Sequence, residues 1–382
     1  MMQILSSLDG RLKAAEELIG EAVAGVRAAS VQAEAIGTPL SPDMFPAEFV
    51  ASIVDLAMPL RYRRPLSTVF MGLTDGELRA LLAFVGGYCD PASTLTLPGA
   101  SLSGAAVEAL GDAKQQDRFF SRWVDDPNTR SFFGVTEPGH GTNAHLLSTT
   151  LSLDVLSVSG TKRWIGNLTN ASTGVLFVRS APGLLGIRAV LLDLPTVGAD
   201  VVPLDMTGMR TAGLGELRLN DVTIGGNDVL GSHLPASRRG LWGMTQTFLR
   251  MRMQVASMAL GAGWALLEEV SGASPSKLDP RSEELAVRGS ALARMVWRCA
   301  GETENDGVDV RSSLCKAACV TWATDIAIYA GASSIGNRAL VNKLVRDVVG
   351  LEFMEGVGAK QRQIIATDWL RQRGVRKDVR AG

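Results

Sequence analysis

The segment TEPGHGTNA, which begins at Thr136, places two hydroxyl side chains, an acid and two glycines within nine residues. The hydroxyl groups of Thr136 and Thr142, and the backbone N–H groups between them, can line a ligand, and glycine lets a ligand approach the backbone closely. The same composition is typical of a plain turn at which a helical region passes into a sheet. It lacks the Gly-Lys-Ser/Thr ending of a phosphate-binding P-loop and the third glycine and βαβ context of a dinucleotide fingerprint. Taken alone, the segment favours a turn and leaves ligand binding open.

Metal chemistry is not indicated, because the residues that commonly bind transition metals are few and scattered. The three histidines and four cysteines are His140, His145, His233, Cys89, Cys299, Cys315 and Cys319. Their spacing matches neither a zinc site nor a disulfide framework. We predict no metal and buried structural thiols.

Composition is that of a soluble globular protein. Of 382 residues, 46% are apolar and 20% charged, and the net charge of −1 offers no overall field for nucleic acid or anionic membrane. The basic C-terminal end is predicted to be a solvated tail, the first residues do not form a secretory signal, and the apolar stretch 317–332 is interrupted by Asp325 and too short to span a bilayer. We therefore expect a cytoplasmic protein that binds neither nucleic acid nor membrane.

Helical and strand-like patterns divide the chain into three successive regions. Apolar residues at helical spacing occupy the first third, where Thr74 and Glu77 form a capping-box signature, and a further helix is predicted around 114–124. Short alternating or β-branched runs separated by turn residues come next, and long helices return at 238–270, 281–302, 310–332 and 338–370. The pattern predicts an α+β fold that is mostly α: a helical domain over 1–132, a small β-barrel or sandwich domain over 133–234, and a four-helix bundle over 235–382.

Several segments, in this order and at this spacing, resemble the acyl-CoA dehydrogenase family along nearly the whole chain. TEPGHGTNA is similar to the family's TEPGxGSD loop, and KRWIGN to its KxWITN strand. LRMRMQVASMALG is similar to an arginine-containing helix that ends in Leu-Gly. RDVVGLEFMEG places Glu355 eight residues after Asp347, the offset of the family's catalytic glutamate. Each match alone is weak, whereas the ordered set is specific.

The resemblance implies an FAD enzyme that oxidises the Cα–Cβ bond of an acyl thioester. Glu355 would remove the α-proton while hydride leaves Cβ for flavin N5, and the Glu355 N–H would polarise the thioester oxygen. Phe353, Met354 and Gly356 around Glu355 favour an apolar bend over the commoner fate of a surface glutamate. The FAD contacts that it implies are Phe133, Val135, Thr136, Gly141, Thr142, Trp164, Ile165, Gly166, Gly331, Gly356 and Val357. The substrate contacts that it implies are Thr142, Leu249, Met251, Arg252 and Glu355.

The sequence departs from the family pattern at four places. Gly166 occupies the usual place of a threonine that bonds flavin N5, and Val357 replaces another threonine. No Arg-x-x-Phe-Gly segment, which reaches the FAD pyrophosphate of a neighbouring subunit, is found near 272–285. The Gln-x-x-Gly-Gly-x-Gly motif is represented by IYAGASSIG, with Ile328 for glutamine and Gly331 retained. These changes predict weaker FAD binding or a rearranged subunit contact, and they favour a branch that acts on carrier-protein thioesters in natural-product biosynthesis.

Alternatives remain open at this stage. A flavin monooxygenase or oxidase can be built on the same fold, although those branches commonly lack the glutamate, and a descendant without FAD could use the pocket for binding or proton transfer alone. The expected substrate is an acyl group on coenzyme A or an acyl carrier protein, and the expected electron acceptor is a flavoprotein or O2. A homodimer or homotetramer is expected.

Overall fold

The structure is a computed structural model that describes residues 9–139, 141, 143–272, 279–302, 308–332 and 338–373. Helices come first, a sheet follows, and long helices complete the described chain. The predicted α+β, mostly helical fold class is confirmed.

The first helical region contains more helices than the sequence patterns indicated. The predicted capping box is present at Thr74, whose hydroxyl accepts from the Glu77 N–H at 3.2 Å while the Glu77 carboxylate accepts from the Thr74 N–H at 2.8 Å. Two helices that follow it were not predicted, because they are short and rich in small residues. The helices are α1 (Lys13–Ile36), α2 (Ala47–Leu56), α3 (Asp75–Cys89), α4 (Pro91–Thr94), α5 (Ser101–Leu110) and α6 (Ala113–Asp125).

Eight strands form one mixed sheet. The strands are β1 (Ser131–Gly134), β2 (Thr150–Ser152), β3 (Ser157–Ile165), β4 (Thr173–Arg179), β5 (Ile187–Asp193), β6 (Ala199–Pro203), β7 (Gly215–Thr223) and β8 (Val229–Leu230). Their order is β6-β7-β3-β2-β4-β5-β8, with β1 parallel to β4 beside this path. The stretch 149–160 is divided between β2 and β3, which pair antiparallel.

The described residues of the last region form five helices: α7 (Gly240–Ser271), α8 (Pro280–Gly301), α9 (Val308–Ala332), α10 (Arg338–Leu351) and α11 (Gly358–Gln372). The prediction of one helix over 338–370 is wrong. A turn of six residues divides it, since Glu355 and Gly356 both have positive φ, at +44° and +93°. That turn carries the glutamate singled out by its sequence context.

Apolar side chains form three cores. The largest joins α1 and α3 to α7, α8, α9 and α10. A second lies between α5, α6, the start of α7 and one face of the sheet, and a third covers the other face. Among the described helices, none combines the length and apolar character that crossing a membrane requires.

Candidate active site

Glu355 lies in the turn between α10 and α11, in a backbone conformation that residues other than glycine seldom adopt. Its φ is +44°, and the φ of +93° at Gly356 is one that glycine tolerates without strain. A left-handed glutamate costs on the order of 1–3 kcal/mol and persists only where neighbouring groups impose it. The turn is therefore held from outside.

Two buried side chains hold this turn. Lys316, 1% exposed on α9, donates through Nζ to the carbonyl oxygen of Glu352 at 3.3 Å and to the carbonyls of Met354 and Gly356. Gln361 of α11 is also buried, and its Nε2 donates to the carbonyls of Glu355 and Gly356 at 3.1 and 2.9 Å. Neither residue was predicted from the sequence. A lone lysine inside the apolar stretch SSLCKAACV was the available signal.

One oxygen of the Glu355 carboxylate is shielded from solvent. Its Oε2 is buried and has no hydrogen-bond partner among the described residues. This burial raises the pKa of Glu355 to about 7, although the nearby cations Lys316 and Arg252 act to lower it. A carboxylate with a pKa near neutrality is matched to proton abstraction at physiological pH.

Arg252 lies on the part of α7 that faces α9, and its positive charge acts to lower the pKa of Glu355. The guanidinium is 7% exposed and donates from Nη1 to the hydroxyl of Ser313 at 3.0 Å. Leu249 and Met251, both half-buried, lie on the same turn of the helix. Ser313 was not predicted.

The loop after β1 is anchored by a buried ion pair. Lys162 and Glu137 meet at 2.8 Å, with side chains 0% and 1% exposed. The Glu137 carboxylate also accepts from the N–H groups of Ser148 and Thr149 at 2.6 and 2.9 Å. These contacts lower the pKa of Glu137 to about 2 against the effect of burial. Both ends of the pair come from segments that the sequence singled out, but their pairing was not predicted.

The same lysine reaches the backbone of the loop. Lys162 Nζ donates to the Val135 carbonyl at 3.1 Å, and the Arg163 N–H donates to the Thr136 carbonyl at 2.8 Å. The predicted contacts at Val135 and Thr136 therefore sit directly beside the end of β3. Thr142 and His140 lie outside the described residues, and Gly141 has open space where a Cβ would be.

Trp164 is exposed at the end of β3, where residues 164–166 form a rim of the sheet. The register between β3 and β7 shifts between Lys162 and Ile165, and a bulge of this kind re-aims a side chain. Trp164 has φ +61° and is 50% exposed, whereas Ile165 is buried in the sheet core, so only the backbone of Ile165 can face a ligand. A Cβ added at Gly166 would meet no atom within 4 Å. An exposed indole beside an open glycine is a surface on which a planar ring can lie.

Phe133 connects this rim to α7. Its ring packs edge to face against Phe248 with centroids 5.9 Å apart. Phe248 lies one turn before Arg252 on α7, so the predicted cofactor contacts on the sheet pack against the same helix that carries Arg252. Gly356 and Val357 belong to the Glu355 turn.

Among the predicted FAD contacts, Gly331 lies far from the others. It lies exposed near the end of α9, fifteen residues beyond Lys316. At about 1.5 Å of rise per residue this is about 22 Å along the helix. Within one chain it is not part of the Glu355 site.

Comparison with known proteins agrees with this architecture. A family profile described as the acyl-CoA dehydrogenase middle domain matches residues 132–222. The human mitochondrial short-chain specific acyl-CoA dehydrogenase is 30% identical over 262 residues, which are 63% of this chain and 62% of that enzyme. The alignment thus spans less than two thirds of the human enzyme's length.

Solved structures extend the similarity to the whole fold. PigA, in a structure with FAD and proline, superposes with a TM-score of 0.79 at 16% identity and covers 97% of this chain and 98% of its own. FkbI, described as acting in biosynthesis of the methoxymalonyl extender unit of a polyketide, superposes with a TM-score of 0.74 at 19% identity over 93% of this chain and 99% of its own. At these identities the similarity concerns the fold alone. Together, the comparisons show that residues 132–222 match the acyl-CoA dehydrogenase middle domain and that the chain is similar in sequence to short-chain acyl-CoA dehydrogenases.

Proposed function

We propose that the protein binds FAD and catalyses α,β-dehydrogenation of an acyl thioester. The observation that carries the proposal is Glu355, a carboxylate in an imposed left-handed turn with one buried, unpartnered oxygen and a pKa raised to about 7. A surface glutamate has none of these properties. The open space at Gly166 beside the exposed Trp164 supports the cofactor assignment, because it fits the edge of a planar ring system.

The residues of the chain divide the work as follows. Glu355 accepts the α-proton through its free oxygen, and its backbone N–H, which bonds to no described residue, is available to polarise the thioester oxygen. Arg252, fixed by Ser313, adds positive charge beside the site. Thr136 and the backbone of residues 164–166 would hold the ring edge of FAD, which when bound would supply the acceptor for the hydride leaving Cβ.

A visible spectrum followed by substrate titration tests the proposal. The purified protein, supplied with FAD, is expected to show flavin absorbance that an acyl thioester bleaches without O2. The Glu355→Gln protein is expected to bind FAD and resist bleaching. Absence of flavin uptake would overturn the cofactor assignment, and bleaching that survives the substitution would overturn Glu355 as the base.

The pH dependence of kcat/KM is a second expected result. Because the base must be ionised and its pKa is raised to about 7, the rate is expected to rise tenfold per pH unit below that value and to level off above it. Rapid anaerobic mixing over pH 5–9 measures this limb. A rate already level from pH 5 upward would contradict the assignment.

Gly166 offers a test of the cofactor site that needs no turnover. There is room for a side chain, so Gly166→Thr is expected to fold normally and to tighten FAD binding about 2- to 10-fold through one added hydroxyl hydrogen bond. Gly166→Val, nearly the same shape without the hydroxyl, is the matched control. Equal FAD dissociation constants for the two variants, measured by fluorescence titration, would count against a ring edge at this position.

For the finer assignment we propose a thioester carried by an acyl carrier protein in a natural-product pathway. Support comes from the altered pyrophosphate-contact segments of the sequence and from the likeness to FkbI, which concerns the fold. We further propose a homodimer or homotetramer and an electron acceptor that is a flavoprotein or O2. Comparing kcat/KM for one acyl group on coenzyme A and on a carrier protein tests the proposed substrate carrier. Light scattering tests the proposed oligomeric state.

A further inference from the structure

We propose that Lys316 is a positioning residue of the active site, whose ammonium group holds the Glu355 turn in its left-handed form and keeps a positive charge behind the carboxylate. The proposal rests on the role of Glu355 as base given above. It concerns a residue that the proposed reaction itself does not require to touch substrate.

Lys316 differs from the two other buried lysines of the described chain in its partners. Lys162 pairs with Glu137 at 2.8 Å, and Lys343 pairs with two carboxylates at 2.6 and 2.5 Å. Lys316 instead donates only to backbone carbonyls, those of residues 352, 354 and 356. Since no carboxylate in contact neutralises it, its charge acts on Glu355 through space.

The three carbonyls also explain why this turn tolerates an unusual backbone. The Met354 carbonyl belongs to the peptide that precedes Glu355 and the Gly356 carbonyl to the peptide that follows Gly356, so one ammonium group binds the turn on both sides of the base. Gln361 binds the Glu355 carbonyl from the other side at 3.1 Å. The Glu355 N–H is thereby left without a described partner, as its proposed role requires.

The charged groups that face the carboxylate come from three elements. Lys316 on α9 and Arg252 on α7 lower the pKa of Glu355, and burial raises it by more, with a net result of about 7. Glu352, in the same turn, accepts from the N–H of Gly358 at 2.7 Å and acts on Lys316. Burial in turn lowers the pKa of Lys316 to about 8. Removing Lys316 therefore removes one of the two cations that counteract burial, and the pKa of Glu355 should rise.

Two variants separate charge from hydrogen bonding. Lys316→Met removes both the charge and the donors, whereas Gln361→Leu removes neutral donors to the same turn. The pKa of Glu355 is read in protein without substrate, by infrared difference spectroscopy of the carboxyl band of 13C-glutamate-labelled protein against the Glu355→Gln background. The pH profile of kcat/KM gives the second measurement.

We expect Lys316→Met to raise the pKa of Glu355 by about one unit, because Lys316 acts to lower that pKa and a nearby opposite charge shifts the pKa of a carboxyl by about that much or more. The acid limb of kcat/KM should move by the same amount, and kcat should fall at least about tenfold. Gln361→Leu is expected to lower kcat with the pKa unchanged. If Lys316→Met does not fold, Lys316→Gln keeps donors without charge and should show the same shift, while Lys316→Arg should keep the wild-type pKa.

An unchanged pKa in the neutral variants, or the same shift in Gln361→Leu, would overturn the proposal. The infrared titration needs neither FAD nor turnover. A protein that oxidises no thioester but shows the shift would refute the proposed reaction and leave the coupling of Lys316 to Glu355 in place.

Discussion

Glu355→Gln is expected to lower kcat by about 10²- to 10⁴-fold, the range typical for removal of a general base. The amide has nearly the same size and leaves the carbonyl contacts from Lys316 and Gln361 in place, so the turn should keep its form. Single-turnover flavin reduction at pH 8 measures the loss directly. Glu284→Gln, the same change at a carboxylate 52% exposed on α8, is the control and should stay near wild type.

The same variant has a predicted stability signature. Burial raises the pKa of Glu355 above its ordinary value of 4.5, so the stability that the protonated group contributes is lost as pH rises through about 7. Because the Glu355 side chain is only partly buried and is therefore partly screened, Glu355→Gln is expected to be more stable than the wild type by only about 1–2 kcal/mol at pH 8 and by less at pH 5. Urea unfolding at both pH values checks the sign. A variant that is less stable at pH 8 would mean that the activity loss comes from structural damage.

Lys162→Met is expected to reduce the free energy of unfolding by about 3–5 kcal/mol, because it leaves the Glu137 carboxylate buried without its cation. The pair is fully enclosed at 2.8 Å. The loop that carries Thr136 should loosen, so FAD affinity should fall together with stability. Chemical denaturation and flavin titration of the same preparation measure the two effects.

Arg281→Met serves as the matched control, since its partner Glu284 is exposed and such pairs contribute about 0–1 kcal/mol. A loss of similar size in the two variants would contradict the special role of the buried pair.

Low pH should weaken the same contact between Glu137 and Lys162. The pKa of Glu137 is lowered to about 2, so its contribution is present above about pH 4.5 and disappears as pH falls through 2.

The fold class could be predicted because hydrophobic periodicity is local. Helical spacing and alternating runs show which stretches become helices and strands, and the Thr74 capping box was recognised before its geometry was known. The short helices α4 and α5 were missed because small residues give little periodicity. The continuous helix predicted over 338–370 failed because the residues that interrupt it, Glu355 and Gly356, are forced into positive φ by side chains from α9 and α11.

For the site, sequence alone determined the identity of the groups that can do chemistry. Glu355, Arg252 and the segments at 136–144 and 162–167 were singled out because their motifs, in this order, resemble those of the acyl-CoA dehydrogenase family. Tertiary structure alone decided which groups act on one another. The contacts of Lys316 with the Glu355 turn span about 40 residues, and the Glu137–Lys162 pair spans 25. Burial, charge proximity and an imposed turn are properties of packing between distant segments, and no spacing along the chain encodes them.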